Sequence, residues 1–404
     1  MPPARCIATA ATAVTAALLV ALTGCATPEP ATGTGSGPSA TPVPRSGTPG
    51  LQVTTVAAGL ENPWDVGFLP DGRVLVTERP GRISLLSSTR PGATLTPVRA
   101  DLADVYARGE GGLMGLVVHP DFATSGRFTT CQTHAENGRP VDVRLVTWQL
   151  AGTTARRVAD PLVAGLPIAS SGRHSGCRPT IDADGLLVVG TGDSANGSVA
   201  QDLTSLGGKT LRLTLDGDPA PGNPFADAPN PAQRLVQTYG HRNVQGVALR
   251  PGTGEVYTAE HGPSTDDEVN LLRSGGNYGW DPSQGGTVGG YDESVPMTDR
   301  ERFPDAVPAV WSSGRPVEAV SGAAFVSGPQ WGTLDGALAV GALRGEKLLL
   351  MTLGPDGAVA SVGVPAELDA TFGRLRAVRA APDGSLFVTT SNGSDDRVLR
   401  IDPR

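Results

Sequence analysis

From Leu51 onward, apolar and polar positions alternate with a period of two in short runs bounded by Pro, Asp and Gly. Runs of this kind predict half-buried β-strands joined by tight turns. One unit, an apolar strand, a Pro/Asp/Gly turn and a second β-rich strand, recurs along the chain. Its copies are WDVGFLPDGRVLVTE from Trp64, LMGLVVHPDFATSGRFTTC from Leu113, RPTIDADGLLVVGTGD from Arg178, VQGVALRPGTGEVYTAE from Val244, AAFVSGPQWGTLDGALAVGAL from Ala323 and RAVRAAPDGSLFVTTSN from Arg376. Several copies are followed by a further short strand such as GRISLL, VRLVTWQL or RVLRI, and no long amphipathic helix intervenes. A repeat of roughly fifty residues with period-two alternation predicts an all-β fold, a six-bladed β-propeller of four-stranded antiparallel blades around a central channel. The segment Leu51 to Val56 is expected to supply the outer strand of the last blade.

The first fifty residues follow a different rule. Arg5 precedes an apolar run from Ile7 to Leu22, too short for a confident membrane span, and Leu22-Thr23-Gly24-Cys25 matches a bacterial lipobox. Residues 1–24 therefore read as a lipoprotein signal peptide with Cys25 as the lipidated residue, which places the protein on the outer face of the bacterial cell membrane, held by lipid alone. Residues 25–50 are rich in Pro, Thr, Ser and Gly and read as a flexible tether. The folded domain is expected over 51–404, a single domain.

Charge narrows the choice of partner: a formal net charge of −8 argues against nucleic acid. Of the four cysteines, Cys6 leaves with the signal and Cys25 takes lipid. Cys131 and Cys177 remain in an oxidising setting and are expected to form a disulfide.

In a propeller, loops from different blades converge at one end of the channel, so residues distant in sequence share a site. Among the five histidines, His174 alone lies in a Gly/Ser-rich loop beside arginines, SSGRHSGCRPTI, just before a blade strand. Asp193 follows in the turn GTGD; a carboxylate beside an imidazole is the arrangement of a general base. Arg374 and Arg376 alternate along one predicted strand and share a face, with Arg344 in the comparable region of the preceding blade. Three arginines near an axis fit an anion with several carboxylates or phosphates. The stretch Tyr239 to Trp280 adds Arg242 beside Asn243, a Gly262-Pro263 kink and the acids Asp266, Asp267 and Glu268, whose hard oxygens suit calcium. No Cys/His spacing of a zinc site is present.

With these residues in place, the chain resembles the soluble pyrroloquinoline-quinone (PQQ)-dependent glucose and aldose sugar dehydrogenases, the glucose/sorbosone dehydrogenase family. The resemblance runs from about Asn62 to Pro403 and rests on NPWDVGFLPDGRVLVTERPGRI, GEGGLMGLVVHPDF, HSGCR with GTGD behind it, YGHRNVQG, EHGPSTDDEVNLL, GGNYGW and RLRAVRAAPDG. It implies oxidation of an aldose at the anomeric carbon, with His174 taking the hydroxyl proton and Asp193 supporting it. It implies that Arg242 and Asn243 meet the quinone oxygens, that Arg374 and Arg376 meet the cofactor carboxylates with Arg344 as a further cofactor-binding cation, and that Gly262 and Pro263 give carbonyl oxygens to calcium. Glu268 and the Tyr278 carbonyl correspond to ligands of a separate structural calcium. Departures from the family pattern are Arg344 in place of a lysine, Glu110 in place of a glutamine near the quinone and substrate, and Arg173 in place of an acid. The region 292–320, including Trp311, has no clean counterpart and is expected to bear on the substrate wall. Electrons would pass to a membrane or periplasmic acceptor. A calcium-dependent lactonase or a non-catalytic binding propeller are the other readings; the first has no use for paired arginines, and the second would have lost His174, Asp193 and Arg242 together.

Overall fold

Six four-stranded antiparallel sheets follow one another around a ring in the computed structural model, which describes residues 47–283 and 290–404. Blade 1 spans 63–97, blade 2 spans 113–166, blade 3 spans 178–239, blade 4 spans 244–312 and blade 5 spans 320–363. Blade 6 takes three strands from 375–403 and its fourth from Leu51–Leu60, which pairs antiparallel with Asp396–Pro403 from Leu51↔Pro403 to Leu60↔Asp396. The fold is therefore the six-bladed β-propeller, with the first described strand closing the last blade. The calls on residues 1–24, on Cys25 and on most of 25–50 lie outside the described residues. Arg45 to Arg404 form one compact unit.

Burial explains why the strands read as they do. Inner and second strands are packed between neighbouring blades and are buried on both faces: Val74–Glu78, Leu338–Ala342 and Leu386–Thr390 have no exposed position. Alternation survives mainly in outer strands such as Val236–Tyr239. Each seam between blades holds its own apolar cluster; Ala339, Leu348 and Leu350 of blade 5, for example, meet Leu386, Val388 and Leu399 of blade 6. Truncating one of these leucines to alanine is expected to cost about 2–5 kcal/mol, since the ring cannot collapse to fill the hole.

Two features aim side chains at the axis. In five blades the pairing of the innermost strand shifts register at its first residues, between Pro63/Asp65, Leu113/Leu116, Val244/Gly246, Val320/Ala323 and Leu375/Val378. These irregularities splay the strand starts at one end of the channel, the end where the loops before blades 2, 3 and 4 arrive. Deeper along the axis, fully buried Asp65 of blade 1 receives Arg178 of blade 3 at 2.8 Å and Arg379 of blade 6 at 2.7 Å. Burial alone would raise the Asp65 pKa, but the two guanidiniums and the Leu116 N–H outweigh it and hold it below the ordinary carboxylate value.

Cys131 of blade 2 and Cys177, just ahead of blade 3, are joined by a disulfide with Cα atoms 6.1 Å apart. Both are fully buried in the cluster between those blades.

Candidate active site

Three loop segments meet at the splayed end of the channel. The loop before blade 3 carries His174, the turn after its second strand carries Asp193, and the loop before blade 4 carries Arg242 and Asn243. Backbone bonds zip them together: Ser194 N–H donates to the His174 carbonyl at 3.2 Å and Asp193 N–H to the Arg242 carbonyl at 2.8 Å. The approach is so close that a Cβ on Gly192 would fall 1.9 Å from the His174 carbonyl oxygen. That contact explains the glycine before the aspartate in GTGD.

His174 is 3 % exposed, and its Nδ1 lies 2.7 Å from Asp193 Oδ1. The Ala195 N–H donates to the same oxygen at 2.8 Å, while Trp280 Nε1 and the Tyr291 hydroxyl donate to Oδ2 at 2.8 and 2.7 Å. Burial pushes the Asp193 pKa up, but the charges of His174 and Arg242 and these donors outweigh it, so the carboxylate stays ionised. Nδ1 thus carries the proton and Nε2 is the basic atom. Facing Nε2 at 3.2 Å is Nε of Arg173, whose guanidinium also lies over the Tyr291 ring.

Arg242 is buried, donating from one terminal nitrogen to the His261 carbonyl at 2.9 Å and from the other to Glu293 Oε1 at 2.6 Å. Glu293 also holds Arg173. Asn243 accepts the Gly176 N–H at 3.1 Å and donates to Glu110 at 2.8 Å. Glu110 further meets Gln245 at 3.4 Å, and Gln245 in turn accepts Arg376 at 2.7 Å. Burial works to raise Glu110, but the Asn243 bond and the Arg376 charge help to keep its pKa low. Arg376 lies 5.4 Å from the Trp64 ring centre, and burial draws its pKa down to about 9. Burial likewise lowers His261 to about 3, leaving it neutral at physiological pH.

The structure therefore brings His174, Asp193, Arg242, Asn243, Glu110 and Arg376 into one connected network. Arg374, one residue ahead of its strand, and Arg344, in a turn of blade 5, are both exposed. Residues absent from the sequence-based site but bound into it are Trp280, Tyr291, Glu293, Gln245 and His261. Gln245 and Trp280 stand inside the quoted motifs YGHRNVQG and GGNYGW, where a signal existed. Tyr291 and Glu293 follow a stretch without motif character and are placed only by the fold. Trp311, expected near the substrate wall, sits in the outermost strand of blade 4 and packs sideways against blade 5.

The acid cluster separates. Asp266 accepts from Thr265 beside it and from Ser312 of the outermost strand, while buried Asp267 accepts the Gly262 N–H at 2.8 Å and so braces the 262–263 segment. That segment follows His261, whose N–H donates to the Asn243 carbonyl at 3.1 Å. Glu268 turns inward opposite Glu260, accepting from Thr298 at 2.9 Å and Asn270 at 3.2 Å. Burial and the Glu260 charge push Glu268 up to about 8. Glu260 also binds His241, on which the Tyr278 ring stacks at 4.4 Å.

Two sets of buried atoms bear on ligands. Nε of Arg242, Nε of Arg376 and Nε2 of His261 have no hydrogen-bond partner, so a ring of nitrogens around the axis is left short of acceptors. An anion rich in oxygens fits that need. On blade 4, Glu260 Oε1, Asn270 Oδ1 and Thr258 Oγ1 are likewise unpartnered, an oxygen set beside Glu268 that fits a hard cation. Among the described residues no group of three or more His, Cys, Asp and Glu is arranged to hold a metal, so a cation there would depend on neutral oxygens as well.

The family model for glucose/sorbosone dehydrogenase matches residues 60–400. The aldose sugar dehydrogenase YliI of Escherichia coli K12 is 31% identical over 369 residues, covering 88% of this chain and 93% of its own. Two solved structures superpose along the ring. The PQQ-bound aldose sugar dehydrogenase of Streptomyces coelicolor has a TM-score of 0.70 and 32% identity over 88% of this chain and 98% of its own. The apo form of the soluble aldose sugar dehydrogenase of Escherichia coli has a TM-score of 0.73 and 30% identity over 88% of this chain and 100% of its own.

Proposed function

This chain belongs to the glucose/sorbosone dehydrogenase family, and on that premise we propose that it oxidises an aldose sugar at the anomeric carbon to the lactone, using PQQ and calcium. The observation that carries the reading is the His174–Asp193 pair set in one network with Arg242, Asn243, Glu110 and Arg376. PQQ, when bound, supplies a quinone that accepts hydride. Arg242 and Asn243 would hold its oxygens, Arg344, Arg374 and Arg376 its carboxylates, and the carbonyls of Gly262 and Pro263 the calcium beside it. The unpartnered Nε atoms of Arg242 and Arg376 support their part in this assignment.

Nε2 of His174 takes the proton of the anomeric hydroxyl as the C1 hydrogen departs with its electron pair, and the C1–O bond becomes the lactone carbonyl. Asp193 stabilises the imidazolium that results. Arg173, now 3.2 Å from Nε2, yields that position to the hydroxyl. Glu110 would accept from a sugar hydroxyl once the sugar is in place. A second, structural calcium at Glu268 and the Tyr278 carbonyl, attachment through a lipid on Cys25, and delivery of electrons to a membrane or periplasmic acceptor belong to the same proposal.

The test is direct. Purified protein with added PQQ and calcium should show a shifted quinone spectrum that bleaches with an aldose and recovers with a dye acceptor. Failure to bind PQQ would sink the reading.

A further inference from the structure

We propose that Tyr291 is a positioning residue for the base: its hydroxyl fixes His174 as the Nδ1–H tautomer and, through Asp193, sets how readily the imidazole takes a proton. This rests on the reading of His174 as the base, but its first test needs no turnover.

The geometry has two parts. The Tyr291 hydroxyl is 2.7 Å from Asp193 Oδ2 and 3.1 Å from His174 Nδ1. Its one proton goes to the ionised carboxylate, so its oxygen presents a lone pair to Nδ1. Nδ1–H then has two acceptors, Asp193 Oδ1 and the phenol oxygen, and a bare Nδ1 would face both with none of its own to give. The tautomer that leaves Nε2 open to the substrate is thereby favoured.

The second part concerns basicity. Asp193 receives His174, the Ala195 N–H, Trp280 and Tyr291, which fills both oxygens. A carboxylate so fully bonded attracts the imidazolium less. The ring is held for this task, 9 % exposed, edge-on to Trp280 at 6.1 Å and beneath the Arg173 guanidinium at 5.7 Å. The other charged or titratable groups around the imidazole are Arg173, Arg242, Glu293, Glu110 and His261. None of them moves in a change confined to the phenol oxygen. Burial and the Asp193 charge drive the Tyr291 pKa well up, so the hydroxyl remains a donor throughout the working range.

The experiment is a nitrogen-15 NMR titration of the histidines, with His174 assigned by its loss in His174→Gln. Tyr291→Phe should raise the His174 pKa by about 0.5–1 pH unit, because Asp193 loses a donor and regains its pull on the proton. 3-Fluorotyrosine at position 291, nearly the same shape but a stronger donor, should shift it downward. In PQQ-loaded enzyme the acid limb of kcat should move with the same signs while KM changes little. Shifts in the same direction for both variants, or none beyond about 0.2 pH unit, would overturn the inference. Wild-type protein that neither binds PQQ nor oxidises sugars would sink the dehydrogenase reading and leave the NMR comparison intact. Should Tyr291→Phe fail to fold, the fluorotyrosine protein alone decides the sign.

Discussion

Arg173 and Arg242 meet on a single oxygen, Oε1 of Glu293, so one carboxylate joins the cation above the base to the buried cation on the blade 4 side of the channel. Burial tends to raise the Glu293 pKa, but the two guanidiniums outweigh it and hold it low. Glu293 thus occupies with its own negative charge the place that an anionic ligand of Arg242 needs. Glu293→Gln removes that competitor without removing its bulk. The expected result is PQQ binding tighter by about 3- to 10-fold, the worth of a partly exposed ion pair. Fluorescence quenching on PQQ titration measures it, and weaker binding would show that Glu293 supports the ligand instead.

Replacing the base should separate chemistry from binding. His174→Gln keeps a hydrogen bond toward Asp193 but has no atom basic enough to take a proton. A loss of about 10²- to 10⁴-fold in kcat is expected, with PQQ affinity changed little. Arg376→Met should do the reverse, weakening PQQ retention before turnover. Spectral titration and steady-state rates on both variants check the assignment, and exchanged phenotypes would refute it.

Acid should loosen the site through Asp193. Its folded pKa lies below the ordinary carboxylate value. The stability it contributes is therefore present above about pH 4 and lost as pH falls through the lowered folded value. Melting curves of wild type and Asp193→Asn should differ most near neutrality and converge as the pH drops below about 4. A gap that widens in acid would reverse the sign of the argument.

The disulfide ties the loop bearing His174 to blade 2 across 46 residues of chain. Replacing both Cys131 and Cys177 with alanine removes the cross-link and leaves small voids in a fully buried cluster. A loss of about 3–4 kcal/mol is expected from chemical denaturation. Alkylation of two thiols in unreduced, denatured wild type would show that the bond is absent.

Lys209 is fully buried and donates to the carbonyls of Val199, Ala200 and Gly207 at 2.8–2.9 Å, pinning the loop that follows Asp193. Burial pulls its pKa down to about 7. Lys209→Met leaves the Gly207 carbonyl without a donor, while Val199 and Ala200 keep the N–H groups of Asp202 and Gly240, and it should lower stability by about 1–3 kcal/mol, read as a fall in Tm with faster hydrogen exchange over 199–207.

The blades were legible because each repeats the same turn chemistry, and the copy boundaries fall near the strands found. Strand burial on both faces was not, since it arises from neighbours in the ring and not from any one blade. His174 and Asp193 stood out because Gly/Ser-rich loops rarely carry such pairs. The Asp266–Glu268 triplet read as one cluster, yet strand pairing sends Glu268 inward to Glu260 while Asp267 turns to the Gly262 backbone. Tyr291 and Glu293 had no local signature, because their role depends on where a long connection within blade 4 returns. Arg178 looked like part of the histidine motif, whereas the fold spends it on Asp65 and Trp64.

The pairing of Leu51–Leu60 with Asp396–Pro403 bears on how the protein is made. Within the propeller, the strand made first has its hydrogen-bonding partner made last, and Asp396 of that late strand accepts the Asn62 N–H at 3.1 Å. Blades 1 to 5 can assemble as the chain emerges, but the ring stays open until its final residues arrive. Because the two ends of the ring lie side by side, joining Pro403 to Leu51 and cutting between two other blades would leave every sheet intact. The order of birth of the strands is thus separable from the order in which they hold the channel shut.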